Sequence, residues 1–412
     1  MKTNAKFASF LIIPLKYDCD YSEVAKDLPV SSLTTMDLTE NVKDMLRPDS
    51  ETAIGKFCHI GADMLKAAIK SNADDKLFVK SEDKLHPFEF IDSFLYIFKT
   101  QIAFLCLGIS YDHMDVINTL SSTGHADNKA IVFPENSVKP LPIEDKITAF
   151  CKDFSLYKFF SAGSLFLESF VGTVAVFREY FDSLDELRRT TFKIHQMLPL
   201  DSVIDDESEE DTRYVYAVKS EEKNAYRWGY CVASQKLSYA VANNDMNFEA
   251  EVHDFAADGL PLAIFMLHEK YTCLRFTQLI AKKNKSRELS KLKRMMLEFQ
   301  AFGIVSSANI SRWHNIKQIY AHLLSSNDVE NAVNDISTKI SILTSQQDEI
   351  EAKRTDRMSN IITIFGLVSI LDSVLSIFTA LREGDPILWH CSTLTTSAVL
   401  VLLVIAARIK NR

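Results

Sequence analysis

At 412 residues, 47% hydrophobic and 25% charged, the chain suffices for one large or two ordinary globular domains with a sizeable core. A formal net charge of −9 offers no basic face of the kind that nucleic acid requires, which excludes nucleic acid as a partner. Seven cysteines, odd in number and never in C-x-x-C spacing, exclude a disulfide framework and a zinc knuckle and read as buried thiols of a reducing compartment.

The opening MKTNAKFASFLIIPLKYD sets two lysines before a mostly apolar run, as a signal peptide would. It lacks an A-x-A-like end and runs straight into Pro14 and Lys16, so an opening strand over residues 8–15 is expected. TAIGKFCHIGADMLKAAIKS carries a helical pattern. FVKSEDKLHPFEF and the run after it predict two strands turning at Lys99 to Gln101, because apolar and aromatic stretches flank a short polar break. DSVIDDESEED, residues 201–211, holds seven acids in eleven positions. Like charges repel, so a solvated loop is expected; such clusters also hold Mg²⁺ or Ca²⁺, but the order of a calcium loop is absent. Residues 214–243 read as strand again, with Ser-Glu-Glu-Lys-Asn and Ala-Ser-Gln-Lys as turns, and the pattern is helical from there to the end. Strands and helices thus mix in an α/β (α+β) domain over residues 1–283.

Residues 284–357 predict a helical stalk. From Val329 the apolar positions 329, 333, 336, 340, 343 and 350, with Gln347 filling the remaining place, alternate steps of three and four, a heptad seam. Its phase continues through Ile361, Ile364 and Val368 to Phe378, so one unbroken helix from Asn327 to Leu381 is expected, capped by Ser325 or Ser326. The seam either bundles with copies of itself, making a homo-oligomer, or packs on the preceding helix of its own chain.

Residues 358–381 lack Lys, Arg and Glu, residues 388–408 form a second apolar run, and 382–387 is a short loop between them. About 20 apolar residues cross a bilayer, so two transmembrane helices are predicted, with a basic tail at 409–412. Lys353, Arg354 and Arg357 before the first and Arg408, Lys410 and Arg412 after the second put both termini in the cytoplasm. Ser359, Gly366, Ser373 and Ala380 share one heptad position with Thr363, Ser369 and Ser376 beside it, a stripe of small and hydroxyl residues read either as close helix packing or as a pore wall. Asp372, at mid-span, needs water or a partner, or else a proton and a neighbouring hydroxyl. Glu383 and Asp385 would ring the outer mouth of a symmetric assembly.

This order of parts, with LEFQAFGIVSSANISRWHNIKQIYAHLLSSNDVENAVNDISTKISIL in the stalk, NAYRWGYCVASQKLSYA and LPLAIFMLHEKYTCLRF before it, resembles the divergent CorA-like proteins of bacteria. The resemblance implies a pentamer in the bacterial inner membrane, conducting cations under control of its cytoplasmic domain, with Asn360, Thr363 and Ser369 near where that family places polar pore-lining residues. Mg²⁺ or another divalent cation, as permeant or regulatory ion, is the cofactor implied. The family's Gly-Met-Asn signature is missing; LREGDP holds its place, so magnesium selectivity is not carried over. The alternative implied is a phage-defence membrane effector triggered by a cytosolic signalling ligand. No enzyme is expected, because the chain lacks G-x-x-x-x-G-K-[ST], H-E-x-x-H, G-x-S-x-G and G-x-G-x-x-G. His314 and His322 read as core or interface residues, and Cys391 beside His390 as a dyad in name only.

Overall fold

The computed structural model describes residues 5–382, apart from segments 70–75, 82–83, 123–131, 136–138, 161–162, 204–214, 220–224 and 283–285 and positions 27, 30, 34, 36 and 246. The chain divides into two compact units, residues 1–340 and 341–412. The strands are β1 (Ala5–Lys16), β2 (Gly55–His59), β3 (Leu77–Ser81), β4 (Lys84–Phe98), β5 (Ile102–Tyr111), β6 (Val132–Pro134), β7 (Tyr157–Lys158), β8 (Phe170–Phe177), β9 (Val215–Lys219), β10 (Tyr226–Val232) and β11 (Lys236–Ala242). Among the described residues they make one sheet in the order β6-β3-β4-β5-β1-β8-β11-β10-β9, with β2 added on β4 and β7 on β1. Between β8 and β11 the pairing is parallel. Around β1 and through the β4–β5 hairpin it is antiparallel.

Helices α1 (Tyr21–Lys26), α2 (Glu40–Asp44), α3 (Ala62–Ile69), α4 (Asp115–Ser122), α5 (Ile143–Asp153) and α6 (Leu184–Gln196) interleave with the strands. After β11 come α7 (Phe248–Asp254), a π turn (Phe255–Gly259), α8 (Leu260–Lys282), α9 (Ser286–Glu298), a second π turn (Phe299–Gly303), α10 (Ser307–Ile310), α11 (His314–Ser326) and α12 (Val329–Arg382). Strand residues alternate faces. Phe7, Leu11, Ile13 and Leu15 of β1 join a core roofed by α3, α4, α5 and α6, while Ala8, Phe10 and Ile12 join one roofed by α7, α8 and α11. A strand covered on both faces reads as a continuous apolar run, which is why ASFLIIPL shows no polar alternation. Ser9 breaks that run and is satisfied across three strands, its Oγ 2.7 Å from Tyr111 Oη and 2.8 Å from Thr173 Oγ1. Pro14 has no N–H to donate; it sits where pairing with β8 has ended at Ile12 and pairing with β7 has yet to start at Leu15.

The opening strand, the hairpin turning at Lys99 to Gln101 and the three strands of the 214–243 region are found as expected. So is the unbroken helix expected from Asn327 to Leu381, although it starts at Val329: Ser325 and Ser326 end α11 instead, and the turn between the helices passes through Asp328 with φ 53°. The helical reading of TAIGKFCHIGADMLKAAIKS is half corrected, because Gly55–His59 pairs with β4 and only Ala62–Ile69 coils.

The largest correction concerns the membrane. No helix among the described residues is long and apolar enough to cross one. In α12 the charge-free run between Arg357 and Asp372 is 14 residues, and Ser359, Asn360, Thr363 and Ser369 fall inside it. Such a run covers about 21 Å of helix against a hydrocarbon core of about 30 Å. This overturns the membrane cation channel or magnesium transporter, its alternative as a membrane-opening defence effector, and the placement in a bacterial inner membrane with cytoplasmic termini. The expected second span, loop and tail, residues 383–412, lie outside the described residues.

Candidate functional site

Asn360, Thr363, Gly366 and Ser369 lie exposed along α12. Thr363 and Ser369 donate their hydroxyls to the carbonyls of Ser359 and Phe365 at 2.8 and 3.0 Å, the back-bond open to any helical hydroxyl. None of the four lines a cavity described below. The side chains of Asp372, Ser373 and Ser376, and Glu383 and Asp385 altogether, lie outside the described residues.

A concave site forms elsewhere. A cavity of 650 Å³ opens between β10–β11, α7 with its π turn, the start of α11, and the segment carrying Thr35 and Asp37. Its floor is aromatic because alternate strand residues share a face: Trp228 pairs across the ladder with Val241, and Tyr230 with Tyr239. Trp228 stands edge-on to Tyr239 with ring centroids 5.2 Å apart, and Tyr239 edge-on to Phe255 at 4.8 Å. Its acidic wall comes from EVHDFAADG, where Glu251, Asp254 and Asp258 recur at helical spacing and so fall on one side. The π turn widens the helix at this point, and such turns recur at functional sites. Gly259 ends it of necessity, since a Cβ there would stand 2.9 Å from the Phe255 ring and 3.3 Å from Tyr239 Oη.

The segment before α2 closes the cleft. Asp258 Oδ1 accepts from the Thr35 hydroxyl and, at 3.3 Å, from the Asp37 N–H. The Ser311 hydroxyl donates to the Asp37 carbonyl, and the Thr39 N–H to Ile310 O at 3.1 Å. Burial, then the charge of Asp258, raises the Asp37 carboxyl above the usual carboxylate range, against a smaller pull from Arg312. Glu251 is already engaged, accepting from Asn243 Nδ2 at 2.7 Å and standing 3.7 Å from Arg227. Among the described residues, the cavity lining therefore holds four carboxylates and no Lys or Arg.

Tyr239 is the anomaly. It is 7% exposed, and its buried hydroxyl has no hydrogen-bond partner among the described residues. Burial drives its pKa well up, with Tyr230, Asp258 and Asp37 adding to the effect, so the hydroxyl keeps its proton. An unsatisfied buried hydroxyl costs on the order of 1–3 kcal/mol, and a ligand atom in the cleft would relieve that cost. Behind α7 lies a second cavity of 450 Å³, lined by Phe10, Phe57 and Phe94 and by the pair His59 Nε2 and Asp92 Oδ1, 2.7 Å apart. His253 and Ala257 line both.

Sequence reasoning quoted the strands and helix flanking this cleft but assigned them no site. The readable signal was the carboxylate stripe of EVHDFAADG beside a strand pair rich in Trp and Tyr; Thr35 and Asp37 give none, because only the tertiary fold carries them there. His322 does pack as expected, its ring 3.8 Å from that of Tyr216 and its Nδ1 3.2 Å from Tyr230 Oη, whereas His314 is exposed. Cys58, Cys106, Cys151, Cys231 and Cys273 are buried free thiols, Cys19 is half-buried, and Cys391 lies outside the described residues. No family model matches the chain, and neither a curated protein nor a solved structure shows significant similarity to it.

Proposed function

We propose that the chain is a receptor for a small organic cation, an amine-bearing ligand held in the cleft between β10–β11 and α7. The observation that carries this reading is the unpartnered Tyr239 hydroxyl in a cavity whose charged groups are all acidic apart from His253. An ammonium group donates to Asp37, Asp254 or Asp258 and to the Tyr239 oxygen, while Trp228 offers a π face, worth about 0.5–2 kcal/mol. The cavity volume falls within the range of roughly 300–1,000 Å³ typical of small-molecule sites.

A binding role is favoured over catalysis. His195 Nδ1 stands 3.2 Å from Ser238 Oγ, the spacing of a nucleophile and its base. Both residues are buried, and burial presses the histidine to a pKa of about 3, so the pair serves as a core hydrogen bond. The likeness to CorA-like proteins enters only through element order, an α/β domain leading into one long helix, and carries no ion pathway.

Calorimetric titration with a panel of mono- and polyamines, against neutral and anionic isosteres, tests the reading. Amines should bind, Asp258→Asn should weaken them at least about tenfold, and Trp228→Ala about two- to thirtyfold. Equal binding of neutral isosteres, or affinity untouched in both variants, would sink it.

A further inference from the structure

The β4–β5 hairpin ends in a second constellation, on residues that the cleft does not use. Phe88 pairs with Tyr111, and the same register carried two residues outward sets His86 opposite His113 just past the end of β5. Their rings stack with centroids 4.5 Å apart. Asp115 opens α4, two residues further on, and its carboxylate turns back toward both rings. Oδ2 lies 3.6 Å from His86 Nε2 and 3.3 Å from His113 Nδ1. One donor atom from each of the three residues falls within 4.8 Å of the others.

We propose that His86, His113 and Asp115 form a zinc site, with one coordination position left to water. Two imidazole nitrogens and a carboxylate oxygen are borderline donors, suited to Zn²⁺ and unlike the all-oxygen shells of Mg²⁺ and Ca²⁺. Bonds of about 2.0–2.2 Å at tetrahedral angles hold donor atoms roughly 3.3–3.6 Å apart. The two nitrogen-to-oxygen separations already stand there, at 3.3 and 3.6 Å. The hydrogen bonding agrees. His113 Nδ1 accepts from the Asp115 N–H at 3.3 Å, so it presents a lone pair at the start of α4, which a metal ion would take in place of that N–H. His86 Nε2 is buried and has no hydrogen-bond partner among the described residues, and Asp115 Oδ2 lies beyond hydrogen-bond reach of it. A metal ion between them satisfies both atoms. His86 is largely buried and held by its strand, whereas the His113 side chain is 45% exposed and free to complete the shell and admit the ion. Bound zinc would tie the open end of the hairpin to the first turn of α4.

Competition of the full chain, free of any affinity tag, against a chromophoric zinc chelator tests this. The chain should take Zn²⁺ from the chelator, and excess Mg²⁺ should not displace it. His86→Gln, His113→Gln and Asp115→Asn should each lower zinc affinity at least about tenfold, while His314→Gln leaves it unchanged. Co²⁺ should give the intense visible absorption of a four-coordinate site, lost in the same three variants. His113→Gln, at a half-exposed position, keeps the test decisive if His86→Gln fails to fold. The proposal is overturned if the native chain does not compete for zinc, or if His113→Gln binds it as well as the native chain does.

Discussion

Buried ionisable side chains set this molecule's response to pH. Glu269 of α8 accepts from the Val305 N–H at 2.8 Å and from the Tyr320 hydroxyl at 2.9 Å. Those two bonds pull its pKa down, but burial outweighs them and raises it from 4.5 to about 7. The folded state then binds a proton that the unfolded chain releases above pH 4.5, so this residue's contribution is full below that pH and is lost as pH rises to about 7. The loss amounts to about 3 kcal/mol. His195 and His268 act in the opposite sense. Burial presses both to about 3 from an ordinary 6.5, so acidification below 6.5 protonates the unfolded chain first and costs stability. Glu269→Gln, which keeps an oxygen for both donors, should therefore gain on the native chain as pH rises from 5 to 8 in urea melts. Parallel curves for the two proteins would show that Glu269 is ionised throughout. Cys151, Cys231 and Cys273 should resist alkylation in the native state, since burial lifts each thiol to about 12.

The two π turns share one construction. FAADG and FQAFG each begin with a buried Phe whose ring covers the closing Gly; a Cβ would stand 2.9 Å from the Phe255 ring and 2.5 Å from that of Phe299. Neither ring can swing away, because Phe255 also packs on Gly172 and Phe299 on Phe276 and His268. Gly259→Ala and Gly303→Ala should each cost about 1–3 kcal/mol in chemical denaturation. Gly259→Ala should also weaken amine binding, whereas Gly303→Ala should leave it alone. Neither turn was legible in the sequence, where a lone glycine in a helical pattern reads as a tolerated blemish. The strands around Lys99 and over 214–243 were legible because apolar runs met short polar breaks. FVGTVAVF, the strand β8, passed unread: eight buried residues without alternation leave no period to distinguish strand from helix. The acidic cleft was half legible, its helical stripe visible and its partner strands quoted, but their meeting depends on a parallel crossover that no local pattern encodes.

Across the whole molecule, the heptad seam of α12 changes partner along its length. Val329, Ile336 and Ile340 are buried within the chain's own cores, the last two against Phe276, Leu292 and Phe299. Farther along the same seam Ile350, Ile361, Ile364 and Val368 are all more than half exposed. The first stretch thus follows the own-chain alternative of the sequence reading. For the second we propose self-association, since exposed apolar residues at heptad spacing are what a second copy covers. Sedimentation should find the full chain oligomeric and residues 1–340 monomeric, with the shorter chain still unfolding cooperatively, because the three cores all end by Ile340. A monomeric full chain would remove that role from α12.

The position of β1 has a cost in time. It is made before either of its long neighbours, β5 and β8, which follow about 100 and 165 residues later. Until then nine consecutive hydrophobic and hydroxyl side chains, Phe7 to Leu15, have no sheet to enter. Pairing across such separations is slow, and an unpaired apolar strand invites aggregation. Pairing around the middle strand therefore waits until β8 has been made, and a chaperone that shields the apolar run of β1 during that interval should raise the yield of native protein more than one acting on the finished chain.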